Sequence, residues 1–325
     1  MMDARISRRL LLLAAAATPT AAARGQSSAY PARMVTIIVP FPAGSATDIV
    51  ARHLSEHLRG ALNGTFIVDN RPGADGNIAA QAVLRNEPDG HTIFVTTNST
   101  HAANASLYRS LPYDPKADFA PVGGIMTIPL MLTVHPKFPA HSVEDFVAEA
   151  RRRGRPLTFA SGNTSSRGAA ELFKARTGLA MDHIPYRGTP QALADLMGER
   201  VDCFFADPAS AISNVQHGNV RVLGVTSLAR FELLPDVPTI AESGYPGFEL
   251  VAWVGTYVKA GTPAPVVERL GAETRRFVQD PATAGYLGSI GGSPFPATPR
   301  DLADFAERDT RRWAAIVAAA GIEPK

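Results

Sequence analysis

Short apolar runs alternate along this chain with longer stretches whose apolar positions recur every three or four residues. Met34-Val35-Thr36-Ile37-Ile38-Val39 is the first such run and reads as a buried strand. Ile49 to Leu58 follows with apolar residues at helical spacing. The same reading gives a strand over Thr65–Asn70, a turn over 71–77, a helix over Ile78–Asn86 and a strand over His91–Thr96. A second unit begins near Pro129, with a strand over Leu130–His135, a helix over Val143–Arg152 closed by Gly154, and a strand over Leu157–Ala160. A helix over Ala169–Thr177 comes next, then a helix over Thr189–Leu196 and strands over Val201–Ala206 and Val220–Thr226. The apolar run Leu250–Val258 carries the chain back to the first unit, which helices over Ala264–Gln279 and Pro299–Ala320 complete. Alternating strands and helices predict an α/β fold with a parallel sheet covered on both faces. A chain of 325 residues is long enough for two domains.

The joints between these elements carry the chemistry. Pro40-Phe41-Pro42-Ala43-Gly44-Ser45-Ala46-Thr47-Asp48 ends the first strand and opens directly into a helix. The first turn of a helix has unpaired N–H groups and the positive end of the dipole. Gly44, Ser45, Ala46 and Thr47 have little side-chain bulk, so an anion can approach that backbone closely. Ser161-Gly162-Asn163-Thr164-Ser165-Ser166-Arg167-Gly168 repeats the arrangement in the second unit. Two such loops, one per domain, predict an anion clamped between lobes. Thr97-Asn98-Ser99 and Asp207 also sit at strand carboxyl ends, where α/β sheets bind ligands.

Composition narrows the setting. Residues 1–23 read as a targeting segment: Arg5, Arg8 and Arg9 lead into the apolar stretch Leu10–Ala17, and Ala21-Ala22-Ala23 offers a cleavage site. Ser7-Arg8-Arg9-Leu10-Leu11 resembles a twin-arginine signal; an ordinary secretory signal is the other reading. No later stretch is long and apolar enough for a membrane span, so a periplasmic protein is expected. Net charge is +2, and the targeting segment, with Asp3 against its three arginines, accounts for all of it. A near-neutral remainder argues against nucleic acid as a partner. The single cysteine, Cys203, lies in the apolar run Val201–Phe205 and reads as a core thiol.

Several short motifs, in order along nearly the whole chain, resemble the substrate-binding receptors of tripartite tricarboxylate transporters, the Bug family. They are Tyr30-Pro31, Ile38-Val39-Pro40-Phe41-Pro42-Ala43-Gly44 with Thr47-Asp48, Asn70-Arg71-Pro72-Gly73-Ala74 and Pro88-Asp89-Gly90-His91-Thr92. Leu111-Pro112-Tyr113-Asp114-Pro115, Ile184-Pro185-Tyr186-Arg187-Gly188, Leu234-Pro235-Asp236-Val237-Pro238-Thr239 with Glu242-Ser243-Gly244, and Gly261-Thr262-Pro263 complete the set. The resemblance implies a type II periplasmic binding protein fold, with two lobes joined by two crossover strands and a ligand cleft between them. Expected boundaries are 30–127 plus 253–325 for one lobe and 128–252 for the other, with hinges near Ile125–Leu130 and Val251–Thr256. It implies a monomer that takes up a small organic acid, needs no cofactor or metal, and delivers its ligand to membrane permease subunits. Phe41 and Ala43 would then line the pocket beside the ligand's carbon skeleton. Backbone N–H groups of Ser45, Ala46 and Thr47 would hold one carboxylate, and Asn163, Thr164, Ser165 and Ser166 would act from the other lobe. Thr97, Asn98, Ser99, Tyr186 and Asp207 are candidates for the distal end. Asp48 reads as a cap of the first helical turn or as a ligand contact; Asp207 as a cap or as a receiver of a ligand ammonium or hydroxyl. Arg167-Gly168 replaces the His-Leu common in the family; Arg167 either pairs with a second carboxylate or points to solvent.

Other function classes find less support. His53 and His57 share one helix face, yet lack an HExxH context and a third ligand, so exposed helix histidines are expected. No G-x-S-x-G elbow is present, and Gly73-Ala74-Asp75-Gly76 lacks dinucleotide-binding spacing, so no catalytic residue is assigned. A ligand-presenting sensor for a membrane receptor would have the same cleft as a transport receptor.

Overall fold

The computed structural model describes residues 30–324; the targeting segment expected over 1–23 lies outside the described residues. The chain runs β1 (Val35–Val39), α1 (Ala46–Leu62), β2 (Phe66–Asn70), α2 (Asn77–Leu84) and β3 (Thr92–Thr97). A π-helical turn (Ser99–Ala103) leads into α3 (Asn104–Leu107), followed by β4 (Phe119–Pro129) and β5 (Met131–Val134). Next come α4 (Val143–Arg152), β6 (Leu157–Ser161), α5 (Thr164–Thr177), β7 (Met181–Pro185), α6 (Thr189–Met197) and β8 (Cys203–Ala206). The chain then forms α7 (Pro208–Gln216), β9 (Arg221–Val225), β10 (Val251–Lys259), α8 (Ala264–Gln279), α9 (Pro281–Ser289), β11 (Ser293–Pro294) and α10 (Pro299–Ala319).

The strands form two sheets, each the centre of a lobe. One has six strands in the order β11-β4-β10-β3-β1-β2; the other has five in the order β7-β6-β8-β5-β9. The expected parallel sheet is only part of each. β2, β1 and β3 are parallel, as are β7, β6 and β8, because α-helical crossovers join them. β10 runs antiparallel to β3 and β4, and β5 antiparallel to β8 and β9. These are the strands that flank the crossings between the lobes, so no crossover helix joins them to their antiparallel neighbours.

Helix limits follow local chemistry. α1 buries Val50, Ala51, Leu54, Leu58 and Leu62, one face of the helix, and stops at Asn63, whose φ of 47° is left-handed. α5 begins at Thr164 rather than at the expected Ala169. Asn163 and Ser166 cap each other reciprocally, so the polar stretch that reads as a loop is the first turn of the helix. β4 escaped sequence reading because Pro121, Gly123 and Gly124 interrupt its apolar pattern. It forms through pairing with β10 on one side and β11 on the other, where Phe295 packs so closely that a side chain at Gly124 would collide with it.

The chain changes sheets at Leu130 and between Val225 and Val251. Thr226, fully buried, ties the two crossings together. Its N–H donates to Leu130 O (2.9 Å), its hydroxyl accepts from Leu130 N (2.8 Å) and donates to Leu250 O, and its carbonyl accepts from Leu250 N (3.0 Å). Thr226→Val keeps the shape and leaves a buried N–H and a buried carbonyl unpaired, so a stability loss of about 1–3 kcal/mol is expected. Urea unfolding measures it; an unchanged midpoint would show that the crossings hold without this hydroxyl. One continuous apolar core runs through both lobes, from Phe94 and Tyr257 through Trp253 and Trp313 to Phe159 and Phe173. α10 belongs to the first lobe by its contacts with β4 and α3, and reaches across to α5.

Candidate ligand-binding site

A cavity of about 30 Å³ lies between the lobes. Phe41, Ser45, Ala46 and Thr47 of the first lobe face Gly162, Asn163, Ser165, Thr189 and Asp207 of the second across it. Thr97, Ile128, Leu130, Ala252, Trp253 and Val254 form the floor, so both crossings line it. Four helices start on its walls: α1 after β1, α5 after β6, α6 after β7 and α7 after β8.

The helix starts are built to leave N–H groups free. Ser45 is the N-cap of α1, and its Oγ accepts from Asp48 N (3.4 Å), while Ser45 N–H donates to Pro42 O (3.2 Å). Ala46 and Thr47 follow, and their N–H groups precede the first intrahelical bond, Ile49 N to Ser45 O (3.0 Å). Gly44, at φ +78°, makes the turn that brings them to the cavity. In α5, Asn163 Oδ1 accepts from Ser166 N (2.9 Å), and Arg167 N donates to Asn163 O (3.2 Å). Thr164 and Ser165 are left in the position that Ala46 and Thr47 hold in α1. Each set carries the positive end of a helix dipole to the same cavity.

The lobes also touch directly here. Ser165 Oγ donates to Asn98 Oδ1 (3.1 Å), and Ser210 Oγ donates to Gly44 O (3.2 Å). A side chain at Gly188 would strike Pro42, and one at Gly162 would strike the backbone of Gly188 and Thr189. Asn98 Nδ2, Ser99 Oγ and Thr164 Oγ1 are buried beside this seam with no hydrogen-bond partner.

Several expected residues serve the loops rather than the wall. Asp48 receives Gly44 N (2.9 Å), both arms of Arg52 (2.9 and 3.1 Å) and Asn70 Nδ2 (2.9 Å), so its carboxylate braces the loop from behind. Ser166 Oγ accepts from Gly162 N (3.1 Å) and Asn163 N (3.2 Å), folding the second loop. Ala43 and Gly44 are exposed, and Tyr186 turns outward to donate to Asp195 Oδ2 (2.7 Å). Arg167 lies on α5 outside the wall. Asp207 is both a cap and a wall residue: Oδ1 accepts from Ser210 N (3.1 Å), and Oδ2 from the Thr189 hydroxyl (2.7 Å).

Sequence reasoning missed Gly162, Thr189 and Trp253 as wall residues. The first two adjoin expected loops and show no chemical signal of their own. Trp253 reads only as part of an apolar strand; its Nε1 donates to Asp309 Oδ2 (2.8 Å) on α10, and burial pushes that carboxyl up from its ordinary value. His53 and His57 are engaged structurally, His53 stacked on Tyr286 (3.8 Å between ring centres) and His57 facing Glu273 (3.5 Å).

Asp48 gives the first loop a pH signature. Burial pushes its carboxyl up, but hydrogen bonds from Arg52, Gly44 and Asn70 outweigh that and hold it below the usual carboxylate range. A carboxyl depressed in the folded state stabilises the fold above its unfolded pKa, and that stabilisation is lost as pH falls through the folded value. Asp48→Asn is therefore expected to cost about 1–3 kcal/mol at neutral pH, with the gap to the parent protein closing below about pH 4. Urea midpoints across that range check it, and a gap that stays constant into acid would contradict the brace.

Comparison with known proteins agrees with this geometry. A family model described as the tripartite tricarboxylate transporter family receptor matches residues 50–322. Protein BugT of Bordetella pertussis is 33% identical over 312 residues, covering 95% of this chain and 96% of BugT. Among solved structures, R. palustris Rpa4515 with adipate superposes with a TM-score of 0.89 at 34% identity, covering 91% of this chain and all of that one. MatC (Rpa3494) from Rhodopseudomonas palustris with bound malate gives 0.84 at 30% identity, over 89% of this chain and all of MatC. With two α/β lobes, paired helix starts on one cavity and motifs matched along nearly its whole length, the chain belongs to the tripartite tricarboxylate transporter receptor family.

Proposed function

We propose that this protein is an extracytoplasmic receptor that captures a small carboxylic acid between its lobes and delivers it to the membrane subunits of a tripartite tricarboxylate-type transporter. The observation that carries the reading is the pair of helix starts, at Ala46 and Thr47 and at Asn163 and Ser165, presented to one cavity from opposite lobes. Backbone N–H groups and helix dipoles hold a carboxylate without a charged side chain. That fits a cavity wall with no Lys or Arg. Adipate and malate, bound in the two similar structures, support a small carboxylic acid as the ligand, with dicarboxylates the first to try. Membership of a transporter receptor family supports binding over hydrolysis.

A cavity of about 30 Å³ has room for about two water molecules. A four- to six-carbon acid therefore enters with the lobes further apart, and ligand touching both helix starts favours closure. We place the lobes at residues 30–127 with 253–325 and at 128–252, and the bending at Leu130 and Leu250. Export to the periplasm by the segment 1–23 completes the reading.

The test is a thermal-shift panel of mono-, di- and tricarboxylates, followed by calorimetry on the hits. A ligand that binds the native state raises the melting temperature by mass action. Saturable 1:1 binding of one or more acids, with each acid recovered unchanged, is the expected result. An acid chemically converted by the protein would overturn it. So would a silent panel combined with native mass spectrometry showing no acid carried through purification.

A further inference from the structure

We propose that Arg187 makes this receptor selective for dicarboxylates, by receiving the far carboxylate of an acid whose near carboxylate lies at the helix starts. The proposal rests on the receptor reading and adds the means by which one acid is told from another.

A groove of about 270 Å³ runs from the cleft along the boundary between the lobes. Phe41 and Gly162 line both spaces, so the two adjoin at that pair of residues. The first lobe adds Pro40 and the turn 73–76, and the second adds Pro185, Tyr186 and Arg187. The cleft holds only about 30 Å³ and has no cation on its wall. An acid anchored at Ala46 and Thr47 whose chain passes Phe41 therefore enters the groove, and meets there the first cation along its path.

Both walls of the groove are held firmly. In the first lobe, Ala74 and Asp75 have φ of 46° and 52°, left-handed values that residues other than glycine rarely adopt. Asn104 Nδ2 donates to Asp75 O (3.0 Å) and the Tyr108 hydroxyl to Asp75 Oδ2 (2.9 Å), which keeps the turn in that conformation. In the second lobe, Tyr186 N donates to Ser161 O (2.8 Å), and a side chain at Gly188 would collide with Pro42. Arg187 lies between these two anchored residues, so its backbone is seated against the first lobe while its side chain is exposed.

Three polar side chains line the groove, and two are engaged. Asp75 takes the Tyr108 hydroxyl, and Tyr186 donates to Asp195 Oδ2 (2.7 Å). Arg187 has no hydrogen bond or ion pair among the described residues. A guanidinium stays charged at neutral pH, and its fork matches a carboxylate with two parallel hydrogen bonds. Asp75 is the groove's one carboxylate; it repels an anion on its own wall, which leaves the Arg187 side as the favourable seat. An acid with an uncharged far end gains nothing from the guanidinium. Arg187 thus acts on the choice between acids, whereas the helix starts act on all of them.

Calorimetry with matched pairs tests the assignment: succinate with butanoate, adipate with hexanoate, and suberate with octanoate. In the parent protein the diacid should bind about ten-fold tighter than its monoacid at the chain length that best spans the two seats. Arg187 holds nothing in the protein, so Arg187→Gln should keep the parental urea midpoint. It should shrink that preference to about two-fold or less and leave the monoacids within about two-fold of their parental affinity. Arg187→Lys keeps the charge without the fork and should retain a preference between those of the parent and Arg187→Gln. A diacid preference unchanged in Arg187→Gln overturns the proposal, as does an equal loss for diacid and monoacid or an equal loss in Arg187→Gln and Arg187→Lys. In each of these cases the acids still bind and the receptor reading stands. Failure of every acid to bind the parent protein overturns both.

Discussion

Ser165→Trp is expected to weaken binding of the acid by about 100-fold or more, because an indole cannot share the cleft with a ligand. Ser165 is the second residue of α5, 3% exposed, on the wall opposite Ala46 and Thr47. A tryptophan there fills the space between the helix starts and holds the lobes apart. The fold should survive, since the residue sits at the seam between lobes and each lobe keeps its own sheet and helices. Ser165→Ala provides the contrast. It removes only the hydroxyl bonded to Asn98 and keeps the backbone N–H, so a loss of about ten-fold or less is expected. Calorimetric titration of both variants separates blocking of the space from loss of a hydroxyl. Near-parental affinity in Ser165→Trp would place the ligand elsewhere.

Gly168→Val is expected to lower stability by about 3 kcal/mol or more. Gly168 lies within α5, where helix propensity alone favours any other ordinary residue by up to about 1 kcal/mol. Packing decides the sign the other way. A side chain at Gly168 would run into the ring of Trp313 on α10 and meet Leu250 Cδ1 at 3.3 Å. Trp313 is 2% exposed and held in the core that joins the lobes, so its rigid ring has nowhere to turn. Gly168→Ala should also destabilise, by about 1–2 kcal/mol, despite its gain in propensity. Denaturant unfolding of both variants checks the order. A stabilised Gly168→Ala would mean that α10 yields easily and does not clamp α5.

These two positions show how legibility varied along the chain. The two loops at helix starts stand out in sequence because small and polar residues interrupt strong apolar periodicity, and both lie on the cavity. α4 and α8 span the residues their patterns predict, Val143–Arg152 and Ala264–Gln279, since Ser142 and a proline at the first turn fix their starts. α7 and α9 begin with Asp-Pro pairs, a start signal that short helices present without a clear apolar stripe behind it. β4 has no such signal, because its stability comes from neighbours distant in sequence. Of the pair Arg167-Gly168, the sequence directs attention to the arginine. The structure makes the glycine the constrained member, through a tryptophan 145 positions further on. The role of Trp253 was equally hidden, since its partner Asp309 is buried on the last helix.

In a receptor that closes on its acid, one ligand engages both helix starts at once. Amide NMR of a deuterated, ¹⁵N-labelled sample titrated with adipate tests it directly. The Ala46 and Thr47 amides are expected to shift together with those of Thr164 and Ser165, at a common midpoint and at one equivalent. Shifts confined to one of the two helices, or two separate midpoints, would contradict it.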